Sequence, residues 1–266
     1  MDALSFWLSG AVVGLIIGLT GVGGGSLMTP LLIFGFGIHP ALAVGTDLLF
    51  AAFTKLGGTV AMMRRGWVPW PVVGALALGS LPAAGITLWL IRAWGPAHPG
   101  VQDLILQLLG LALLLTAGAT LYKAWVGSAR SHRPEAADAP LPPGALRPRH
   151  WSLPVLLGAL IGVLVTLTSV GAGAIGVSAL LFLYPRLPLS RVVAADIAYA
   201  VPLTLVAGLG HATLGNVDVP MLFWLLAGSL PGIWLGSRGV IHISERWSRS
   251  VLSLLLLWAG SKLILH

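Results

Sequence analysis

One passage occurs twice in this chain: an apolar stretch too long for one membrane helix, too short for two, and broken by glycines. Residues 8–25 read LSGAVVGLIIGLTGVGGG and residues 156–173 read LLGALIGVLVTLTSVGAG. At an offset of 148 they match at nine of eighteen positions: Leu8, Gly10, Ala11, Gly14, Leu19, Thr20, Val22, Gly23 and Gly25. The echo returns at an offset of 149. Residues 66–82 and 215–231 both end in GSLP, and Asp47 falls on Asp196. A duplicated unit with a glycine break in its first hydrophobic segment is a signature of secondary transporters.

Eight apolar stretches follow one another at 3–38, 41–63, 67–91, 101–125, 151–184, 189–213, 219–237 and 248–265. Mean hydropathy is +0.94, and only 9% of residues are charged. No soluble core needs so little polarity, so the composition reads as a polytopic membrane protein in contact with lipid. The net charge of +7 is no nucleic-acid footprint, because its Lys and Arg lie between apolar segments. Without cysteine there is no disulfide, thiol nucleophile or Cys-ligated metal. No cofactor is implied. The first residues, MDALSFWLSG, carry no basic n-region and read as mature structure rather than a signal peptide. Residues 127–150 hold five prolines and little apolar content. They divide the chain into a first membrane repeat (1–126), a linker (127–150) and a second repeat (151–266).

The first stretch, 36 residues long, would reach about 54 Å as one helix, against a hydrocarbon core of about 30 Å. Two spans need roughly 40 residues and a turn. A re-entrant hairpin fits the length, with one half-helix in, a glycine turn at membrane depth and a second half-helix out. The basic residues test this. If all eight stretches cross, Lys and Arg divide eight to six between the two sides, which orients nothing. If stretches one and five are re-entrant, one side keeps only Arg92 and Lys262. The other gathers twelve, with Lys55 left inside the membrane. That bias places the linker in the cytoplasm and both termini outside. Each half then has three full spans, so the halves are inverted. The expected fold is an all-α polytopic membrane protein of two inverted repeats, each a re-entrant hairpin plus three transmembrane helices.

TGVGGGSLMTPLL followed by AVGTDLLFAAFTKLGG resembles the first repeat of the sulfite exporter TauE/SafE family. SVGAG and then GHATLGNVD are similar to that family's degenerate second repeat. The resemblance runs over essentially the whole chain. It implies export or uptake of small sulfur oxyanions and organosulfonates, sulfite and sulfoacetate among them. One departure stands out: Ala194, Ala195, Asp196 where the first repeat has Gly45, Thr46, Asp47, so the halves should not offer identical ligands.

The residues themselves suggest an anion cradle. Gly21, Gly23, Gly24 and Gly25 can take positive φ and gather backbone N–H groups at one point. A half-helix starting near Ser26 presents its positive end. Thr20 and Ser26 add hydroxyls, and Thr168, Ser169, Gly171 and Gly173 form an opposite wall. Gly10, Gly14 and Gly18 read instead as packing residues that let helices approach. On that reading a methyl at Gly10 is milder than one at Gly23 or Gly171.

Asp47, Lys55 and Asp196 lie inside apolar stretches, each costing roughly 2.5–3.5 kcal/mol on insertion scales if unpaired. Lys55 suits an anion. Asp47 suits a coupling proton, or a cap on the glycine turn; it also falls near the outer end of its helix, where it can face water. Lys55 lies about 12 Å further along that helix, too far for direct pairing. All three can equally be hydrogen-bonded ties between helices. His211 reads either as a proton-linked gate or as an interfacial histidine bonded to a loop. Asn216 and Asp218 read as turn residues.

An enzyme is disfavoured: no Gly-Lys-Ser/Thr follows the glycine run, and GxSxG and HExxH are absent. The function expected is a secondary transporter and exporter of small sulfur-containing anions, working by alternating access in the inner membrane with proton coupling. The alternative is an anion channel formed by paired re-entrant loops.

Overall fold

The computed structural model describes residues 3–20, 25–95, 98–126, 141, 143–146, 148, 152–238 and 245–265. Among them the chain is all-helical, with ten α-helices and one π segment. The first half holds α1 (Ala3–Thr20), α2 (Gly25–Pro30), the π segment Leu31–Gly35, α3 (Pro40–Arg64), α4 (Trp70–Trp94) and α5 (Pro99–Val126). The second holds α6 (Leu153–Thr168), α7 (Ala174–Leu183), α8 (Leu189–Thr213), α9 (Val219–Ser237) and α10 (Glu245–Leu265). Proline in the first turn of α3, α4, α6 and α9, where the missing N–H has no partner to lose, marks where each helix begins. Asp218 caps α9 by accepting from Met221 N at 2.9 Å, which bears out its reading as a turn residue.

Among the described residues five helices are long and apolar enough to cross a membrane: α3, α4, the Pro99–Leu121 part of α5, α8 and α9. Large apolar side chains such as Leu78, Phe182 and Trp89 are left two-thirds or more exposed. Only an apolar solvent makes that favourable. Most of the linker call at 127–150 lies outside the described residues. A turn at 143–146 is described, and its Ala145 is buried against the core.

The fifth stretch is broken between α6 and α7, away from its middle, since its first limb is longer than its second. In the first stretch the residues between α1 and α2 lie outside the described residues. Phe6 near the start of α1 and Phe36 just beyond the π segment lie with ring centroids 4.9 Å apart, tilted by 35°.

Helix pairing crosses between the halves, and does so reciprocally. α1 packs along α9, and α6 packs along α4. Both pairs are parallel and share one device. Gly10, Gly14 and Gly18 lie against the backbones of Leu225, Ser229 and Ile233, and Gly228, Gly232 and Gly236 lie against Trp7, Ala11 and Leu15. In the second pair Gly158 and Gly162 meet the backbones of Leu76 and Ser80, and Gly79 meets Val155. In lipid, helices gain little from hydrophobic association, so close backbone approach at small residues supplies the packing. This corrects the expectation for Gly10: a methyl there would run into the Leu225 backbone. The corresponding helices α3 and α8 pack antiparallel, with Leu49 at Gly208 and Thr59 at Ile197. So do α5 and α10, with Gly110 at Ile264 and Leu114 at Gly260.

Candidate functional site

The break between α6 and α7 is built from five residues. Thr168 Oγ1 donates to Leu164 O at 2.6 Å and accepts from Val170 N at 3.1 Å, which closes the end of α6. Ser169 follows in the left-handed region at φ 58°, its N–H bonded to Val165 O at 2.7 Å. It is the one non-glycine residue with positive φ among the described residues. Such a conformation costs a side-chain-bearing residue about 1–2 kcal/mol and persists only where its surroundings impose it. Gly171 and Gly173, at φ 129° and 135°, complete the turn with angles that L side chains rarely adopt.

The corresponding residues of the first half lie in part outside the described residues, Gly21, Gly23 and Gly24 among them. Thr20 is the last residue of α1, and Gly25 and Ser26 open α2. What is described is the partner of that region. Thr29 on α2 donates its hydroxyl to Asp47 Oδ2 on α3. Asp47 is 0% exposed, so it does not face water. Its other oxygen, Oδ1, is buried, and so is Ser169 Oγ. The Ser169 hydroxyl lies within hydrogen-bonding reach of the Asp47 carboxyl, which joins one group from each half of the chain.

The second acid occupies the corresponding place in α8. Asp196 is 2% exposed, and its Oδ1 sits against Gly176 in the first turn of α7, where a Cβ would collide with it. A carboxylate there faces the positive end of the helix. Tyr199, one turn on along α8, is fully buried within the field of Asp196, and its hydroxyl has no partner. Lys55 is half-buried on α3 and feels both carboxylates, Asp196 more strongly than Asp47.

His211 stands one layer away. It is 0% exposed, with Nε2 at 2.9 Å from Thr166 O on α6 and Nδ1 at 3.4 Å from Asn216 Nδ2. A neutral ring protonated on Nε2 satisfies both contacts. Gly45 packs against His211 and the Asn216 backbone, and Thr46 Oγ1 accepts from Asp218 N at 3.1 Å. The Gly45-Thr46 pair absent from the second repeat therefore docks the loop between α8 and α9. The structure thus gathers Asp47, Ser169, Lys55 and Asp196 around the breaks. Thr168 is turned to capping.

Sequence reasoning missed Thr29, Gly176 and Tyr199. A lone threonine, glycine or tyrosine in an apolar run carries no signal until the facing helix is known. The break between α6 and α7, buried acids facing it and helices packed through glycine define a polytopic membrane protein with a polar centre. The profile of the sulfite exporter TauE/SafE family matches residues 6–263, and the chain belongs to that family, a family of membrane transporters and not of enzymes. Probable membrane transporter protein YjnA of Bacillus subtilis (strain 168) is 34% identical over 271 residues, covering 98% of this chain and 100% of that protein. Probable membrane transporter protein YunE of the same organism is 26% identical over 272 residues, covering 96% and 94%. A probable membrane transporter protein of Xylella fastidiosa is 27% identical over 238 residues, covering 89% and 84%. No solved structure matches the chain.

Proposed function

We propose that this chain is a secondary transporter that exports small sulfur-containing anions, such as sulfite or an organosulfonate, across the inner membrane by alternating access. The observation that carries this is the meeting of Asp47 with Ser169: a buried acid of the first half beside the strained turn of the second. A binding centre at a repeat interface, lined by broken helices, is where such carriers hold their cargo. The proposed substrate contacts are Lys55, the hydroxyls of Thr20, Ser26 and Ser169, and the backbone at Gly21, Gly23, Gly24, Gly25, Gly171 and Gly173. Asp47, Asp196 and His211 are the proposed coupling or gating groups, with protons as the driving ion.

Two packing relations favour inverted repeats with re-entrant hairpins. The Phe6–Phe36 contact returns the end of the first stretch to its start. Repeats related by an axis along the membrane normal would set equivalent helices parallel, whereas α3 and α8 run antiparallel. The twelve-to-two division of basic residues supports a cytoplasmic linker.

The test is purified protein in liposomes, a panel of sulfite, sulfoacetate, sulfate and thiosulfate, and imposed pH gradients. Saturable uptake with counter-transport of one of the sulfur anions is expected. Conductance without counter-flow would replace the carrier by a channel, and indifference to the whole panel would refute the substrate class.

A further inference from the structure

The loop that follows α3 and the loop that follows α8 are one turn made twice. At the offset of 149, residues 62–69 (MMRRGWVP) fall on residues 211–218 (HATLGNVD). Gly66 and Gly215 both take the left-handed region, at φ 68° and 76°. Trp67 N donates to Met62 O at 3.1 Å, and Asn216 N donates to His211 O at 2.9 Å. Because α3 and α8 pack antiparallel, the two turns lie at opposite ends of that pair, with Asp47, Lys55 and Asp196 between them. Each turn is seated on the beginning of the other helix.

The two seats differ in chemistry. On α3, Thr46 Oγ1 accepts from Asp218 N at 3.1 Å, and the Asn216 backbone closes on Gly45. His211 ties the same turn to Thr166 O on α6 at 2.9 Å. Thr46, Thr166, His211 and Asn216 are all buried. At the other end Met62 and Trp67 stand for His211 and Asn216, Pro69 for Asp218, and Ala194 and Ala195 for Gly45 and Thr46. Met62 and Trp67 pack on the apolar cluster that holds Val192, Ala194 and Ala195. A hydrogen bond to this turn comes from Arg191 in the first turn of α8, whose Nη1 donates to Gly66 O at 3.2 Å near the surface.

Arg191 is poorly placed for a permanent tie. A cation in the first turn of a helix faces the positive end of the dipole. α8 has no acid in that turn and no side-chain cap to offset it. Arg191 Nε is buried without a partner, so the guanidinium is not fully satisfied where it lies. Such a bond to a surface carbonyl is easily released, whereas the buried bonds at the other turn must be broken away from water.

We propose that these two turns are the gates at the ends of the transport path, and that Arg191 is the latch of the gate on the α3–α4 side. Its release frees Met62 and Trp67 from α8 and opens the level of Lys55 and Asp196 to that side. Thr46 meanwhile keeps the α8–α9 gate shut. The gates rest on the carrier reading above, and they give its two ends different chemistry: apolar packing under one guanidinium at one, buried hydrogen bonds at the other.

The chain has no cysteine, so one introduced at Thr54, half-buried and next to Lys55 in sequence, reports on the path. Thr54→Cys is combined with Arg191→Met, Arg191→Lys or Thr46→Val. Its modification by an impermeant methanethiosulfonate is timed in whole cells and in inside-out vesicles. Arg191→Met keeps the apolar stem and removes the donor; it should speed modification several-fold from the α3–α4 side and leave the other side unchanged. Arg191→Lys keeps a charge and a donor and should fall between Arg191→Met and the parent. Thr46→Val should speed modification from the α8–α9 side alone. Should Arg191→Met not assemble, Arg191→Gln takes its place. An unchanged rate in the Arg191 variant overturns the proposal, and so does equal acceleration from both sides, which is general loosening. Sided acceleration in a protein that moves none of the anions would refute the anion reading and leave the gates standing. Wild-type anion transport without any sided change would do the reverse.

Discussion

The Ser169 hydroxyl, on the left-handed residue that ends α6, lies beside the carboxyl of Asp47 on α3. A side chain has been kept where glycine would be easier, and its hydroxyl is turned to the carboxyl of the other half. Strain held at a residue whose side chain meets a buried acid points to use rather than to folding.

Ser169→Gly should therefore separate stability from function. Glycine removes the left-handed strain, so the variant should be as stable as wild type or more so, by up to about 1 kcal/mol. Transport should fall at least several-fold, because the hydroxyl is gone. Ser169→Ala should lose transport and stability together. Melting curves and liposome uptake measure both; wild-type transport by the glycine variant would remove Ser169 from the site.

Lys55 is the next case. Lys55→Ala should raise the apparent substrate constant strongly, and Lys55→Arg should keep partial binding. The alanine variant also strips Asp196 of its counter-charge, so part of its defect is structural. Lys55→Ala combined with Asp196→Asn should restore expression and thermal stability without restoring substrate affinity. Recovery of both would make Lys55 a counter-ion only.

The glycines divide by what faces them. Gly14→Ala and Gly232→Ala place a methyl onto the backbones of Ser229 and Ala11, and should prevent monodisperse assembly. Gly85→Ala, in a helix with nothing within 4 Å of the new carbon, should be neutral or stabilising by up to about 1 kcal/mol. Size-exclusion profiles after detergent extraction distinguish them. Equal behaviour of the two sets would mean α1 and α9 are not packed as described.

His211 joins α8 to α6 and to the loop at Asn216. His211→Ala leaves a buried carbonyl and an amide unpaired, at about 1–3 kcal/mol each. If the residue is also a gate, His211→Asn should change the pH profile of uptake and not merely its amplitude. An unchanged profile would make it a tie alone.

Cysteines placed at Ser131 should be labelled from the cytoplasm, and those at Asp2 or His266 from outside, by impermeant maleimide in whole and opened cells. Cytoplasmic termini would end the inverted arrangement.

Much of this was legible in the sequence because membranes simplify the problem. Each apolar stretch holds a helix or a pair of helices, and the fifth, one of the two of the wrong length, is broken between α6 and α7. Gly10, Gly14 and Gly18 read as packing residues and are so. Asp47, Lys55 and Asp196 were conspicuous because a charge in an apolar run needs a reason. The depth of Asp47 was misread, since distance along a helix says nothing of what covers it; α2 and Thr29 do. Thr29, Gly176 and Tyr199 were invisible because their roles come from the element opposite. The packing of α1 on α9, rather than on a sequence neighbour, is likewise a long-range choice that no local pattern records.

That choice has a consequence for how the protein is made. α4 can settle on α6 soon after the linker has been synthesised. α1 leaves the ribosome long before the helix it packs against most tightly, which begins at Val219. At about 5–20 residues per second, α1 waits some tens of seconds in the bilayer with its glycine face uncovered. Newborn chains are therefore most vulnerable to misassembly and quality-control proteolysis through α1. A separately expressed C-terminal half should shield it.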